Sequence, residues 1–159
     1  MVTARKVMAI ASGGGHWVQL MRLRASFEGL NVFYVGIDPS SASDVAGHRY
    51  YTIRNATRKN KAVLIVVAFQ LLRILVKERP SVVITTGSAP ALVAIILARR
   101  LFGARTIWID SIANVERLSG SGEKAGRTAD VWLTQWPALA EAATTTEGTR
   151  RPEYWGAVL

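Results

Sequence analysis

A histidine stands behind three glycines in Ser12-Gly13-Gly14-Gly15-His16, directly after the short apolar run KVMAIA (6–11). Glycines tolerate positive φ and let a backbone come close to a ligand. If a helix begins here, its free N–H groups and dipole attract an anion, and His16 can serve as a hydrogen-bonding group or a base. The loop is not a dinucleotide G-x-G-x-x-G, because position 18 is Val18, and it lacks the lysine of a phosphate-binding loop. A structural turn with a capping histidine fits it equally. TGSAPALVA (86–94) repeats the design: Gly87 and Ser88 end an apolar run, and Pro90 suits the first turn of a helix. Backbone amides there can hold a phosphate or a sugar hydroxyl. A third stretch, WIDSIANVERLSGSG (108–122), puts Asp110 at a strand's end, with Ser111, Asn114, Glu116, Arg117, Ser119 and Ser121 behind it. That suits a binding loop, and also a merely solvated one.

Other chemistries are poorly served. With two histidines, His16 and His48, and no cysteine, neither a zinc site nor thiolate chemistry is expected. No G-x-S-x-G run marks a nucleophile elbow. Neither a metal nor a cofactor is predicted.

The elements that must position these loops alternate. Strands are predicted at 6–11, 31–35, 50–54, 81–86, 105–110 and 130–134, and helices at about 17–28, 60–78, 91–102 and 137–143. Apolar strands alternating with helices predict a single α/β domain, 1–141, with a mainly parallel sheet covered on both faces. In such sheets ligands bind beyond the strands' C-terminal ends, where all three loops fall. A polar, threonine-rich link and an apolar tail, YWGAVL (154–159), complete the chain at 142–159. The basic start is read as leading into a first strand and not as a signal peptide.

Charge is concentrated. Residues 49–105 carry eleven Lys/Arg and one acid, Glu78, whereas the rest carries nine Lys/Arg and ten Asp/Glu. Such a segment suits nucleic acid, anionic lipid or phosphorylated substrates. Nucleic acid is disfavoured, because the positive segment is interleaved with aliphatics (LIVVAF, ALVAIILA) and not with aromatics. Within it, AVLIVVAFQLLRILV (62–76) is interrupted only by Gln70 and Arg73. The helix is either wholly buried, or its surplus apolar face lies in a membrane interface beside Arg54, Arg58, Lys59, Lys61, Lys77 and Arg79. It is short of the about 20 residues that span a bilayer.

Taken in order, ASGGGH (11–16), TTGSAPAL (85–92), IDSIANVERLSGSGEKAG (109–126) and ADVWLTQWP (129–137) resemble the acceptor-binding, membrane-associated subunit of the split UDP-N-acetylglucosamine transferase. A more distant likeness is to the N-terminal half of the glycosyltransferase that makes lipid II. The resemblance implies the Rossmann-like N-terminal half of a GT-B enzyme divided between two chains. It implies a polyprenyl-pyrophosphate-linked saccharide acceptor on this chain, at the cytoplasmic face of the membrane, and a UDP-sugar brought by a donor-binding partner in a heterodimer. The reaction would be an inverting, metal-free hexosyl transfer in exopolysaccharide or lipid-linked oligosaccharide synthesis, with the chain inactive alone. Carried over, His16 and Asp110 become the catalytic pair. Gly13, Gly14, Gly15, Gly87, Ser88, Ser111, Asn114, Glu116 and Arg117 become substrate-binding, and Tyr154, Trp155 and Leu159 of the tail become partner contacts. Eukaryotic members begin with a transmembrane anchor, which is not expected here, and commonly have glutamate where this chain has Asp110. A non-catalytic scaffold that anchors and activates a glycosyltransferase is the alternative; a basic nucleic-acid-binding domain is the weaker one.

Overall fold

The computed structural model describes residues 5–57, 59–141 and 150–158. Its centre is a seven-stranded sheet, parallel at every pairing. The strands are β1 (Lys6–Ile10), β2 (Asn31–Gly36), β3 (Arg49–Thr52), β4 (Val82–Thr85), β5 (Arg105–Ile109), β6 (Val131–Thr134) and β7 (Glu153–Tyr154), and they lie in the order β3-β2-β1-β4-β5-β6-β7. The helices are α1 (Gly15–Arg22), α2 (Lys61–Glu78), α3 (Ala89–Phe102), α4 (Gly120–Ala125) and α5 (Pro137–Glu141).

Alternation along each strand divides the core in two. Met8, Ile10, Phe33, Val35, Val83 and Trp108 face α2 and α3, while Val7, Ala9, Val32, Tyr34 and Ile84 face Trp17, Leu20 and Phe27 on the α1 side. The strand order turns back between β1 and β4, so the loops after these two strands splay apart and leave a crevice. The glycine loop and the Gly87 loop are those two loops.

Local chemistry explains where the elements end. The predicted helix 17–28 is two pieces, α1 and a 3-10 turn at Arg24–Phe27. α2 starts where the Asn60 side chain accepts from Val63 N at 3.1 Å, and it stops at Arg79 in the left-handed region, before Pro80. Ser119 caps α4, a helix inside a stretch read as loop. The segment read as link and tail supplies the edge strand β7, paired with Leu133 and Thr134 of β6. The sheet therefore runs past residue 141.

The 62–76 run is not wholly buried. Val67, Leu71, Ile74 and Leu75 sit in the core, but Ile65, Phe69 and Val76 are 59%, 65% and 52% exposed. Arg54, Lys61, Arg73 and Lys77 are exposed around this face. No helix among the described residues is long and apolar enough to cross a membrane.

A buried carboxylate joins three elements at the opposite end of the sheet. Glu78, at the end of α2, accepts from Tyr51 Oη at 2.5 Å and Lys6 Nζ at 3.2 Å, and pairs with Arg49 Nε at 3.3 Å. Burial by itself would raise its pKa. The hydrogen bonds from Tyr51 and Lys6 and the charges of Arg49 and Lys6 outweigh it, holding the carboxyl below its ordinary value.

Candidate functional site

An open cleft of about 620 Å³ occupies the crevice beyond β1 and β4. Its floor and walls come from the first glycine loop, the loop after β4, Asn55–Thr57 after β3, Trp108 at the end of β5, and Ser119 and Ser121 at the start of α4. Gly13, Gly14, His16, Gly87 and Ser88 all line it, so the structure brings together two loops that stand 70 residues apart in the chain.

These two loops are locked to each other. His16 Nδ1 lies 2.8 Å from the Thr86 carbonyl oxygen. A carbonyl only accepts, so Nδ1 is the donor and, in the neutral ring, Nε2 keeps its lone pair. Thr86 Oγ1 in turn donates to the His16 carbonyl at 2.7 Å, and Ser12 N donates to the Gly87 carbonyl at 3.2 Å. Gly87 must be glycine: its φ is +120°, and a Cβ would stand 2.7 Å from the imidazole. The absence of a Cβ at Gly87 is what lets the ring come this close to the second loop.

α1 and α3 both begin at this cleft, and neither has a side-chain cap: Gly14 and Ser88 occupy the cap positions without such a hydrogen bond. The first amides of a helix have no partner inside it. Two N-termini without side-chain caps open on one cleft, and their free first-turn amides (Pro90, second in α3, has none) and positive dipole ends are a setting for an anion. Gly15, the first residue of α1, is exposed and does not line the cleft. Among the described residues there is no grouping of three His, Asp or Glu to hold a metal.

Asp110 is placed differently. It is 2% exposed, and its carboxylate accepts four hydrogen bonds. Oδ1 takes Trp108 Nε1 at 3.2 Å and Ser119 Oγ at 2.6 Å; Oδ2 takes Asn114 Nδ2 and Ser119 N, each at 2.9 Å. Four acceptor sites are all that a carboxylate has. Asp110 thus ties the loop 111–119 down and orients Ser119, which also caps α4 through Gly122 N at 2.8 Å. Gly122 passes so close to the carboxylate that a Cβ there would clash with it. Asn114 is one of the ties and does not line the cleft. Glu116 and Arg117 are exposed on the same loop, outside the cleft.

Ser111 belongs to a buried amide network. Gln19 Nε2 donates to Ser111 Oγ at 3.1 Å, and Gln19 Oε1 accepts from Gln135 Nε2 at 2.7 Å and Ile112 N at 3.2 Å. Gln135 also donates to the Asp110 carbonyl at 2.9 Å and accepts from Val158 N at 2.7 Å. This network holds the tail's backbone to the domain, with Arg150 donating to the Ala129 and Asp130 carbonyls. The side chains of Tyr154 and Trp155 nevertheless point outward, 43% and 67% exposed. Leu159 lies outside the described residues.

Sequence reasoning overlooked Asn55, Thr57 and Trp108 in the cleft, and Gln19 as the hub beneath it. A signal existed for two kinds of these. Asn55 and Thr57 are polar residues right after a strand, and Gln19 interrupts the apolar face made by Trp17 and Leu20. Trp108 carried none, since a tryptophan in a strand reads as core.

Comparison with known proteins follows the same outline. Residues 48–158 match the family described as "Oligosaccharide biosynthesis protein Alg14 like". A curated protein of Yarrowia lipolytica, "UDP-N-acetylglucosamine transferase subunit ALG14", is 27% identical over 167 residues, covering 86% of this chain and 76% of its own. Among solved structures, Acinetobacter baumannii MurG superposes with a TM-score of 0.67 at 18% identity, over 84% of this chain and 42% of that one. A UDP-N-acetylglucosamine 2-epimerase from Rickettsia bellii gives 0.63 at 16% identity, over 84% and 39%. The chain thus spans about two fifths of these solved structures, and its fold is that of the N-terminal, Rossmann-like half of a GT-B protein.

Proposed function

Because this chain belongs to the Alg14-like family of oligosaccharide biosynthesis proteins, we propose that it is the acceptor-binding subunit of a two-chain glycosyltransferase. It binds a polyprenyl-pyrophosphate-linked saccharide at the cytoplasmic face of a membrane. A donor-binding partner brings the UDP-sugar, and the cleft closes only when the two chains meet. The observation that carries this reading is the pair of helix N-termini without side-chain caps, α1 and α3, opening on one cleft and locked together through His16 and Thr86. Their amides suit a pyrophosphate. An open cleft needs a second wall to exclude water from a glycosyl transfer.

In this reading an acceptor hydroxyl attacks the anomeric carbon of the sugar nucleotide. Its proton passes to His16 Nε2, the C–O bond to UDP breaks, and UDP departs with the bond's electrons, inverting the anomeric centre. Gly13, Gly14, Gly87 and Ser88 hold the acceptor, and Asp110 with Asn114 and Ser111 keeps the neighbouring loop in shape. The exposed apolar face of α2, with Arg73 and Lys77 beside it, rests in the membrane interface. Tyr154 and Trp155, outward-facing aromatics on a backbone fixed by β7, suit a partner interface.

The test is co-expression with the donor-binding chain and assay on lipid-linked acceptors. His16→Ala is expected to lower the turnover of the assembled enzyme on the order of 100-fold with partner binding kept, while losing the hydrogen bond to Thr86 costs about 1 kcal/mol, or roughly 2–4 °C of Tm. Wild-type turnover in that variant returns the glycine loop to a structural turn and leaves this chain a scaffold.

A further inference from the structure

A second cavity, of about 850 Å³, shares no lining residue with the cleft. It lies among α1, the 3-10 turn Arg24–Phe27 and a further 3-10 turn, Pro39–Val45, and its size is that of a small-molecule pocket, about 300–1,000 Å³. Trp17 and Met21 of α1, with Phe27 and Leu30, give it an apolar lining. Two of its walls are tied together through Asp44. Trp17 Nε1 donates to Asp44 Oδ2 at 2.9 Å, and Arg24 Nη1 to the Asp44 carbonyl at 2.6 Å.

Tyr34 of β2 completes the lining and is 0% exposed, yet among the described residues its Oη has no hydrogen-bond partner. The two phenols of β3 are both partnered: Tyr50 Oη donates to the Asp38 carbonyl at 2.6 Å and Tyr51 Oη to Glu78 at 2.5 Å. A buried hydroxyl left unpaired costs free energy, so the exception calls for a partner from outside the chain. The Tyr34 side chain runs from the sheet into the α1 layer. Its hydroxyl, the atom farthest from β2, is therefore the part that meets the cavity.

The surroundings define what that partner is. Burial pushes the Tyr34 phenol up and the charge of Arg24 draws it back only in part, so the hydroxyl stays protonated and donates. Arg24 has five N–H groups and gives one to Asp44. Both groups therefore serve an acceptor that carries negative charge. Arg22 adds a second cation, but Glu28 and Asp44 add two anions, so the lining as a whole is near neutral and unsuited to a polyphosphate. His48 packs edge-on against the Tyr34 ring at 5.5 Å.

We propose that this cavity binds a small monocarboxylate with an apolar body. The carboxylate accepts from Tyr34 Oη and the Arg24 guanidinium, while the body lies on Trp17, Met21, Phe27 and Leu30. Reaching the buried hydroxyl takes a rotamer shift at the rim, where Arg24 and His48 are exposed.

The test titrates the full chain with 4-phenylbutyrate and with its uncharged counterpart 4-phenylbutanol, by isothermal calorimetry. The wild type is expected to prefer the carboxylate by about tenfold, because hydrogen bonds to a charged acceptor are the stronger ones. Tyr34→Phe removes only the hydroxyl. It should weaken 4-phenylbutyrate about tenfold and 4-phenylbutanol much less, and it should melt no lower than the wild type, having no internal partner to lose. Arg24→Gln should likewise abolish the preference, whereas Arg73→Gln, which removes an exposed charge on α2, should leave it intact. A wild type that binds neither probe, or binds both alike, overturns the proposal. So does a Tyr34→Phe chain that binds like the wild type. A Tyr34→Phe chain that melts well below the wild type shows the hydroxyl to be satisfied within the fold, and overturns it too.

Discussion

Replacing Asp110 separates a carboxylate that reacts from one that holds a loop. In Asp110→Asn the side chain keeps its shape but turns one acceptor oxygen into an NH2 donor. One oxygen faces Asn114 Nδ2 and Ser119 N, both donors; the other faces Trp108 Nε1 and the Ser119 hydroxyl, which can itself rotate to accept. Either orientation sets donor against donor at a site that is 2% exposed. Hydrogen bonds to a charged group are each worth about 1.5–3 kcal/mol, and leaving a buried donor unmatched costs a similar amount. Since the four bonds share one acceptor group and do not add, the expected loss is about 3 kcal/mol. For a domain of this size that lowers Tm by roughly 6–12 °C. Calorimetry of the isolated chain measures it, and hydrogen exchange should show the amide of Ser119 losing protection first. Asp110→Ser, which frees all four donors to recruit water, should be no more stable. An Asp110→Asn chain that melts like the wild type but abolishes turnover in the assembled enzyme would refute this reasoning and make the carboxylate a substrate contact.

Two further outcomes follow from the faces of α2. Ile65→Glu with Phe69→Glu should leave Tm nearly unchanged, because both side chains are exposed, yet weaken binding to anionic vesicles on the order of 100-fold, as expected for losing two inserted apolar groups; co-sedimentation with vesicles measures it, and unaltered binding removes α2 from the membrane. Glu78 has a lowered pKa in the folded chain, so its stabilising effect is complete above the ordinary glutamate value of about 4.3 and fades as pH falls through the lower folded value. Glu78→Gln should therefore be less stable than wild type at neutral pH and show a shallower loss of stability below about pH 4.5; equal slopes in acid unfolding would contradict the pairing with Lys6, Arg49 and Tyr51.

The amino-acid sequence by itself determined the alternating elements. Apolar runs bounded by turn residues are local, and six of the seven parallel strands could be read from them; β7, two residues long and dependent on its neighbour, could not. It also pointed to loops that the structure gathers at one cleft, since glycines and serines after a strand announce themselves by type. What only the tertiary structure decided is who meets whom. Asp110 looked reactive because it ends a strand, but the donors that saturate it, Trp108, Asn114 and Ser119, arrive through loop geometry that no spacing rule encodes. Whether α2 is core or surface depended on how much of its circumference α3 and the sheet could cover, and they left Ile65 and Phe69 bare. The grip of His16 on Thr86 spans 70 residues and exists only because β1 and β4 are neighbours. Residue type and local pattern are properties of the chain, whereas hydrogen-bond partners and exposure are properties of the packed sheet.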